Sequence, residues 1–172
     1  KKIKKIYISK TLKDKDLIEK IKQNKIHFEN VDNNALNKMV EGNHQGLVAI
    51  VDDYEYTPYE TMYQDNVVVM LDHLEDPHNF GAIIRTCEAA GIKSIIIPKD
   101  RSVSVNSTVM KTSSGALVNT KIAMVTNLNQ TIKYLKDKNY WIYSSDMNGD
   151  NYSKVNYDGN CVLVIGNEGK GV

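Results

Sequence analysis

At 172 residues the chain is long enough for one ordinary domain, or for a small domain beside a medium one. With 41% hydrophobic and 25% charged residues it is not a disordered chain, and a formal net charge of +1 excludes an overall basic bias that would by itself mark a nucleic-acid binder. No signal sequence or apolar run of membrane-spanning length is present, so the expected place is the cytoplasm, away from any membrane.

Charge is uneven along the chain. The first 25 residues carry ten lysines against Asp14, Asp16 and Glu19. Such a run is either a solvated surface or the electrostatic footprint of an RNA contact. Within this stretch, residues 3–8 read as a strand, and residues 13–23 have helical spacing through Leu17, Ile18 and Ile21. Residues 26–31 read as a second strand. Asp32 is placed to cap a helix through Ala35, Leu36, Met39 and Val40 that ends at Gly42. Residues 47–51 form a third strand. A small α/β domain over residues 1–51 is the expectation.

Residues 52–60 are acidic, tyrosine-rich and broken by Pro58, which predicts a linker over 52–65. A longer alternating series follows. Residues 67–71 form a near-continuous apolar strand, as in a parallel sheet covered on both faces. Asn79 is placed to cap a helix carrying Ala82, Ile83, Cys87 and Ala90, with Gly91 closing its C-terminus. Strands are expected at 94–97, 121–125, 140–145 and 161–165, and helices at 107–116 and 129–137. Alternation of this kind predicts a parallel α/β sheet with ligands at the carboxyl ends of its strands. The segments that invite a function lie in loops after strands: 72–79, 126–128 and 166–171.

The last of these, GNEGKGV (166–172), is not a phosphate-binding P-loop. Gly166 and Gly169 are too close together, and Val172 offers no hydroxyl for magnesium. The glycine spacing also reverses that of a dinucleotide fingerprint, and Glu168 would repel a pyrophosphate. Two readings remain: a tight turn, or a loop whose backbone approaches a ligand, with an acid for a cation or a hydroxyl. In the earlier segment Arg85 is either a solvated residue in a helix-surface ion pair or, falling among Ile84, Cys87, Ala89 and Ala90, a guanidinium paired with or bound to an anion such as phosphate. His73 and His78 are either acid–base groups or ordinary loop residues. Cys87 and Cys161 sit in apolar contexts and read as buried thiols. Neither they nor the four histidines have metal-ligand spacing, so no metal is expected.

Three stretches together carry a resemblance: LDHLEDPHNFGAIIRTCEAAG (71–91), IIIPKDRSVSVNSTVMKTSSGALVNTKIAMVTNL (95–128) and VLVIGNEGKGV (162–172). In this order and separation they resemble the SpoU (TrmH-like) family of RNA ribose 2′-O-methyltransferases. The resemblance covers about residues 66–172. IKKIYISK (3–10), HQGLVAIV (44–51) and the DYEYTPYE segment are similar to the subgroup acting on a guanosine of 23S rRNA. The leading domain of that subgroup resembles an RNA-gripping ribosomal protein.

The resemblance implies a knotted SPOUT-type α/β methyltransferase domain over residues 66–172. It implies S-adenosylmethionine as methyl donor, RNA as substrate and a homodimer. Asn79, Arg85 and Glu168 become the catalytic group, with Arg85 holding a phosphate and stabilising the developing alkoxide. Gly166, Asn167, Glu168 and Gly169, with Thr126, Asn127 and Leu128, become the cofactor contacts. Lys4, Lys5, Lys10 and Arg85 become RNA contacts. A tRNA ribose methyltransferase and a non-catalytic RNA-binding homologue are the alternatives. A third family motif, rich in Ser, Leu and Asn, normally follows GNEGKGV; the chain is expected to be C-terminally incomplete and trimmed at its N-terminus.

Overall fold

In the computed structural model, which describes residues 3–167, the chain divides into two compact units that meet between Tyr54 and Glu55. The N-terminal unit is built from β1 (Ile3–Ser9), α1 (Lys15–Gln23), β2 (Phe28–Val31), α2 (Asn33–Met39) and β3 (Leu47–Val51). β1 lies at the centre of a three-stranded sheet, parallel to β2 and antiparallel to β3. Alternation along β1 buries Ile6 and Ile8, which meet Ile21 of α1 in the unit's core. Each such side chain contributes about 1.5–3 kcal/mol by burial.

Local chemistry sets the element ends. Asp14 caps α1 by accepting from Leu17 N–H at 3.0 Å, so the helix starts two residues later than its apolar spacing suggests. Lys25, at φ +54, ends the first helical connection, and β2 begins at Phe28 instead of Ile26. Asp32 precedes α2, but its carboxylate does not cap the helix; it pairs with Lys10 at 3.1 Å.

The C-terminal unit carries β4 (Val67–Leu71), α3 (Pro77–Ala89), β5 (Ser94–Pro98), α4 (Ser107–Thr112), β6 (Lys121–Val125), α5 (Leu128–Asp137), β7 (Trp141–Ser144) and β8 (Cys161–Ile165). Its sheet is all-parallel in the order β6-β5-β4-β8-β7. The three inner strands are nearly all buried, which is why they read as unbroken apolar runs. Three differences from the sequence expectation have physical causes. The segment expected as a linker holds a 3₁₀ helix (Tyr59–Gln64) whose Met62 is fully buried in this unit's core; Tyr56 Oη also accepts from Val105 N–H at 2.9 Å. The helix expected over 107–116 stops at Thr112, because Ser114 and Gly115 turn left-handed at φ +49 and +91. Asn79 is not a cap. Asp76 takes that place, accepting from His78 and Asn79 N–H, and Pro77 fits the first helical position.

α3 ends as its sequence predicts. Gly91 at φ +77 allows Ile92 N–H to reach Cys87 C=O and Gly91 N–H to reach Glu88 C=O, the paired bonds of a left-handed helix stop. Near its start α3 packs on α4 at very short range. A Cβ placed on Gly81 would fall 1.9 Å from Thr112 Oγ1 and 3.0 Å from Ser113 N. Only glycine admits that approach. No helix among the described residues is long and apolar enough to cross a membrane.

Candidate active site

Strand order fixes where a ligand fits. From β4 the chain goes outward through β5 to β6 in one direction, and β8 and β7 lie on the other side of β4. Such a reversal leaves a crevice at the carboxyl ends of the central strands. A cavity of about 370 Å³ lies there. Met70, Pro98, Leu128, Ile132 and Val164 supply its apolar wall, and Asp72, His73, Asp100, Arg101, Thr126 and Asn127 its polar one.

The loops around it are tied to one another. Beyond β4, Asp72 N–H donates to Ile165 C=O at 2.8 Å and prolongs the β4–β8 ladder. Asn167 Nδ2 donates to His73 C=O at 2.9 Å, which joins the loop after β8 to the loop after β4. Leu74 C=O accepts from Val103 N–H and from Ser102 Oγ, joining the loops after β4 and β5. His73 and Arg101, on the cavity wall, are both held left-handed at φ +54 and +50. For non-glycine residues that conformation costs on the order of 1 kcal/mol, which the cross-loop bonds offset. His73 Nδ1 also lies 2.5 Å from Asp72 Oδ1, so the carboxylate fixes the ring and turns Nε2 away from it. Asn127 caps α5 by accepting from Gln130 N–H at 3.0 Å, which orients the 126–128 loop at the cavity mouth.

The residues predicted from sequence divide accordingly. Thr126, Asn127 and Leu128 line the cavity, and Asn167 is bonded to His73 at its edge. Gly166 follows β8 and is half-buried. Glu168 and Gly169 lie outside the described residues. Asn79 is half-buried in the first turn of α3 and engaged in an interaction of its own. Arg85 is exposed, and neither it nor Asn79 lines the cavity. Six positions of a helix turn about 240°, so the two side chains leave α3 on different faces. Lys4, Lys5 and Lys10 form ion pairs with Asp52, Glu29 and Asp32 at 2.8, 2.8 and 3.1 Å. The pairing raises the pKa of Lys4 and of Lys5 and lowers that of Glu29. Asp100 and Arg101 were missed, although the rule that singled out the loops after β4, β6 and β8 applies equally to the loop after β5. Among the described residues no group of three or more His, Cys, Asp or Glu is arranged to hold a metal ion.

Comparison with known proteins decides the family. Residues 66–172 match the SpoU rRNA Methylase family. The chain belongs to that family. Residues 1–57 match a second family, described as RNA 2′-O ribose methyltransferase substrate binding. A protein of Staphylococcus haemolyticus assigned to the TrmH family of tRNA/rRNA methyltransferases is 36% identical over 99% of this chain and 73% of its own length. Among solved structures, the SpoU methyltransferase AviRb from Streptomyces viridochromogenes, in complex with the cofactor AdoMet, superposes with a TM-score of 0.84. It is 18% identical over 99% of this chain and 68% of that one. An AdoMet-bound rRNA methyltransferase from Sinorhizobium meliloti gives 0.82 at 23% identity, over 99% and 66%. The fold is therefore the SPOUT-type α/β fold of SpoU methyltransferases, with its all-parallel sheet in the C-terminal unit.

Proposed function

We propose that this SpoU-family chain methylates a ribose 2′-hydroxyl in structured RNA, using S-adenosylmethionine held in the cavity at the carboxyl ends of β4, β5, β6 and β8. The observation that carries this reading is the cavity itself, tied together by three loops, in a chain whose two units both match RNA methyltransferase families. Its volume lies within the range of small-molecule sites. The apolar wall of Pro98, Leu128 and Ile132 suits a purine ring. Asp72 and Asp100 suit ribose hydroxyls, an amino group or a sulfonium centre. When bound, that cofactor supplies an electrophilic methyl group.

The chain's own residues have the remaining tasks. Thr126, Asn127 and Asn167 fix the loops that orient the ligand. His73, held at Nδ1 by Asp72, offers Nε2 to accept the proton of the attacking 2′-hydroxyl. Arg85 stays charged and has no acceptor, so its part is to hold phosphate and stabilise the alkoxide. Asn79 and Glu168, catalytic by the resemblance, act in this proposal by positioning Arg85 and the ligand, with Gly166 and Gly169 as backbone contacts of the cofactor.

A homodimer is part of the reading. Arg85 lies on an exposed face of α3 outside its own chain's cavity, and a second copy or the RNA itself must bring it to a reacting centre. A guanosine of 23S rRNA is the favoured target. A tRNA ribose is the second reading, favoured by the tRNA/rRNA description of the staphylococcal relative. Incubation of the full-length protein with labelled S-adenosylmethionine and either rRNA or bulk tRNA, followed by ribose-methylation mapping, separates them. Methyl transfer to neither RNA, or no cofactor binding by calorimetry, refutes the proposal. His73→Gln is expected to slow methyl transfer by a larger factor than it weakens cofactor binding, read by single-turnover transfer and by calorimetry.

A further inference from the structure

The topology of the N-terminal unit brings three chain segments to one edge of its sheet. β1 ends at Ser9, β2, parallel to it, ends at Val31, and β3, antiparallel to it, begins at Leu47. The turn after β1, the start of α2 and the turn before β3 therefore surround a recess of about 320 Å³. Thr11, Lys13, Asn33, Asn43, His44 and Gln45 line it, with no carboxylate among the lining residues.

The recess is held in shape by bonds within and between these segments. Ser9 Oγ, itself buried, accepts from Thr11 N–H and lies 2.8 Å from Thr11 Oγ1. Asn33 Nδ2 approaches Thr11 Oγ1 at 3.5 Å. Ser9 N–H donates to Gly46 C=O at 2.8 Å, tying the first turn to the third. In the third turn, Gln45 N–H donates to Asn43 Oδ1 and Gly46 N–H to His44 Nδ1. The latter bond places the ring proton of neutral His44 on Nε2, where it donates to Asn37 Oδ1 at 3.1 Å. Gln45 and Gly46 are left-handed at φ +49 and +85, and a Cβ on Gly46 would come within 3.1 Å of Leu12 Cδ1. The turn therefore lies close against the first one, and the side chain of Gln45 leaves it exposed.

We infer that this recess, and not the lysine-rich strand, is where the N-terminal unit reads its RNA, by hydrogen bonds from side-chain amides to the edges of unpaired bases. The inference rests on the RNA reading proposed above and deepens it. Lys4, Lys5 and Lys10 are each paired with a carboxylate, so they release few counterions on meeting a phosphate backbone. The recess has the opposite character: amides, each both donor and acceptor, a single lysine, and no acid. Amides pair in two-bond geometry with base edges, and sequence-specific RNA recognition targets unstacked, unpaired nucleotides. Lys13 at the rim is placed for the adjoining phosphate.

The test is fluorescence anisotropy on the full chain with two probes, a 23S rRNA transcript and a perfect RNA duplex of matched length, over a series of salt concentrations. The wild type is expected to prefer the transcript. Asn33→Ala with Gln45→Ala is expected to weaken transcript binding about tenfold or more, with duplex affinity and salt slope unchanged. The nearly isosteric Asn33→Asp, which removes the amide donor and keeps the shape, is expected to weaken transcript binding in the same direction. Lys4→Ala with Lys5→Ala is expected to change transcript affinity less than about twofold. Circular dichroism confirms that each variant is folded. Amide variants that bind the transcript as tightly as the wild type, or that lose transcript and duplex equally, overturn the inference alone. A wild-type chain that binds neither RNA overturns it together with the RNA reading on which it rests.

Discussion

Gly81→Ala is the smallest change expected to disturb the helix that carries Asn79 and Arg85. The added Cβ would lie 1.9 Å from Thr112 Oγ1, 2.7 Å from Thr112 Cβ and 3.0 Å from Ser113 N. Carbon atoms pack at about 3.5–4.0 Å, so α3 and α4 must part by roughly 1 Å. Rotating the threonine does not suffice. It would move Oγ1 and sacrifice its 2.8 Å bond to Thr108 C=O, but Thr112 Cβ and the Ser113 backbone would stay in place. Overpacking of this kind costs about 1–3 kcal/mol, and alanine's better helix propensity returns up to about 1 kcal/mol. The net loss is about 1–2 kcal/mol. Urea unfolding is expected to show a lower midpoint with an unchanged slope. Thr112→Ala removes the shortest contact and leaves the next, so the double variant is expected to recover about 1 kcal/mol relative to the sum of the single ones. A Gly81→Ala protein as stable as the wild type, or more stable, would refute the close approach of the two helices.

Other substitutions probe the remaining features. Arg85 is exposed, and no hydrogen bond or ion pair joins it to another described residue, so Arg85→Ala is expected to leave the unfolding midpoint within about 0.5 kcal/mol of wild type. The same change is expected to reduce methyl transfer by about a hundredfold, and Arg85→Lys is expected not to restore it; near-normal turnover by the lysine variant would exclude a two-bond contact. At the other end of the sheet, burial pushes the Asp65 carboxyl up, but hydrogen bonds from Ser94 Oγ and Lys121 Nζ and the charges of Lys121 and Lys93 together hold it below its ordinary value. A carboxyl depressed in the folded state stabilises above its unfolded pKa near 3.9, and that contribution disappears as pH falls through the folded value. Asp65→Asn is therefore expected to lower stability at neutral pH by about 1–3 kcal/mol and to flatten the acid limb of the stability–pH curve; an unchanged limb would remove Asp65 from the account. Burial pushes the Cys87 thiol up to about 11 and the Cys161 thiol in the same direction. Both are expected to react with a thiol reagent only on unfolding, and rapid labelling of the native chain would contradict their burial.

What the sequence made legible follows one physical rule. β4, β5 and β8 were readable because a strand covered on both faces must be apolar throughout, and the glycine stop of α3 because only a left-handed residue closes that turn. The start of α3 falls earlier than expected because two residues of capping type, Asp76 and Asn79, look alike until the position of Pro77 is weighed. The segment before β4 reads as a linker because acidic and tyrosine-rich composition is a surface signature. Met62 is its one fully buried side chain, with Tyr59 half-buried against the same core, and so few contacts leave no period to detect. The cavity's Asp100 and Arg101 follow a strand that ends in Pro98, and nothing in their own spacing distinguishes them from an ordinary turn.

The lysines show the deeper limit. A run of ten positive charges is visible in the sequence as a local excess, yet its effect depends on what lies across the sheet and beyond it. Parallel pairing of β1 with β2 sets Tyr7 beside Glu29, close enough for the carboxylate to meet Lys5, and the same edge sets Lys10 against Asp32. At the other end of β1, antiparallel pairing with β3 sets Ile3 beside Val51 and so brings Lys4 to Asp52. Each of these acids is distant in sequence from the lysine that it neutralises. A reader counting charge along the chain sees a basic patch; a phosphate approaching β1 meets three ion pairs. Around β1, base-specific affinity for RNA must then come from groups that carry no net charge, and such groups, amides above all, are invisible to a charge count. Side-chain amides at the converging ends of the three strands meet that requirement, which is why the recess of Asn33, Asn43 and Gln45, rather than the run at the N-terminus, is the place where a sequence-dependent RNA contact has the physical means to form.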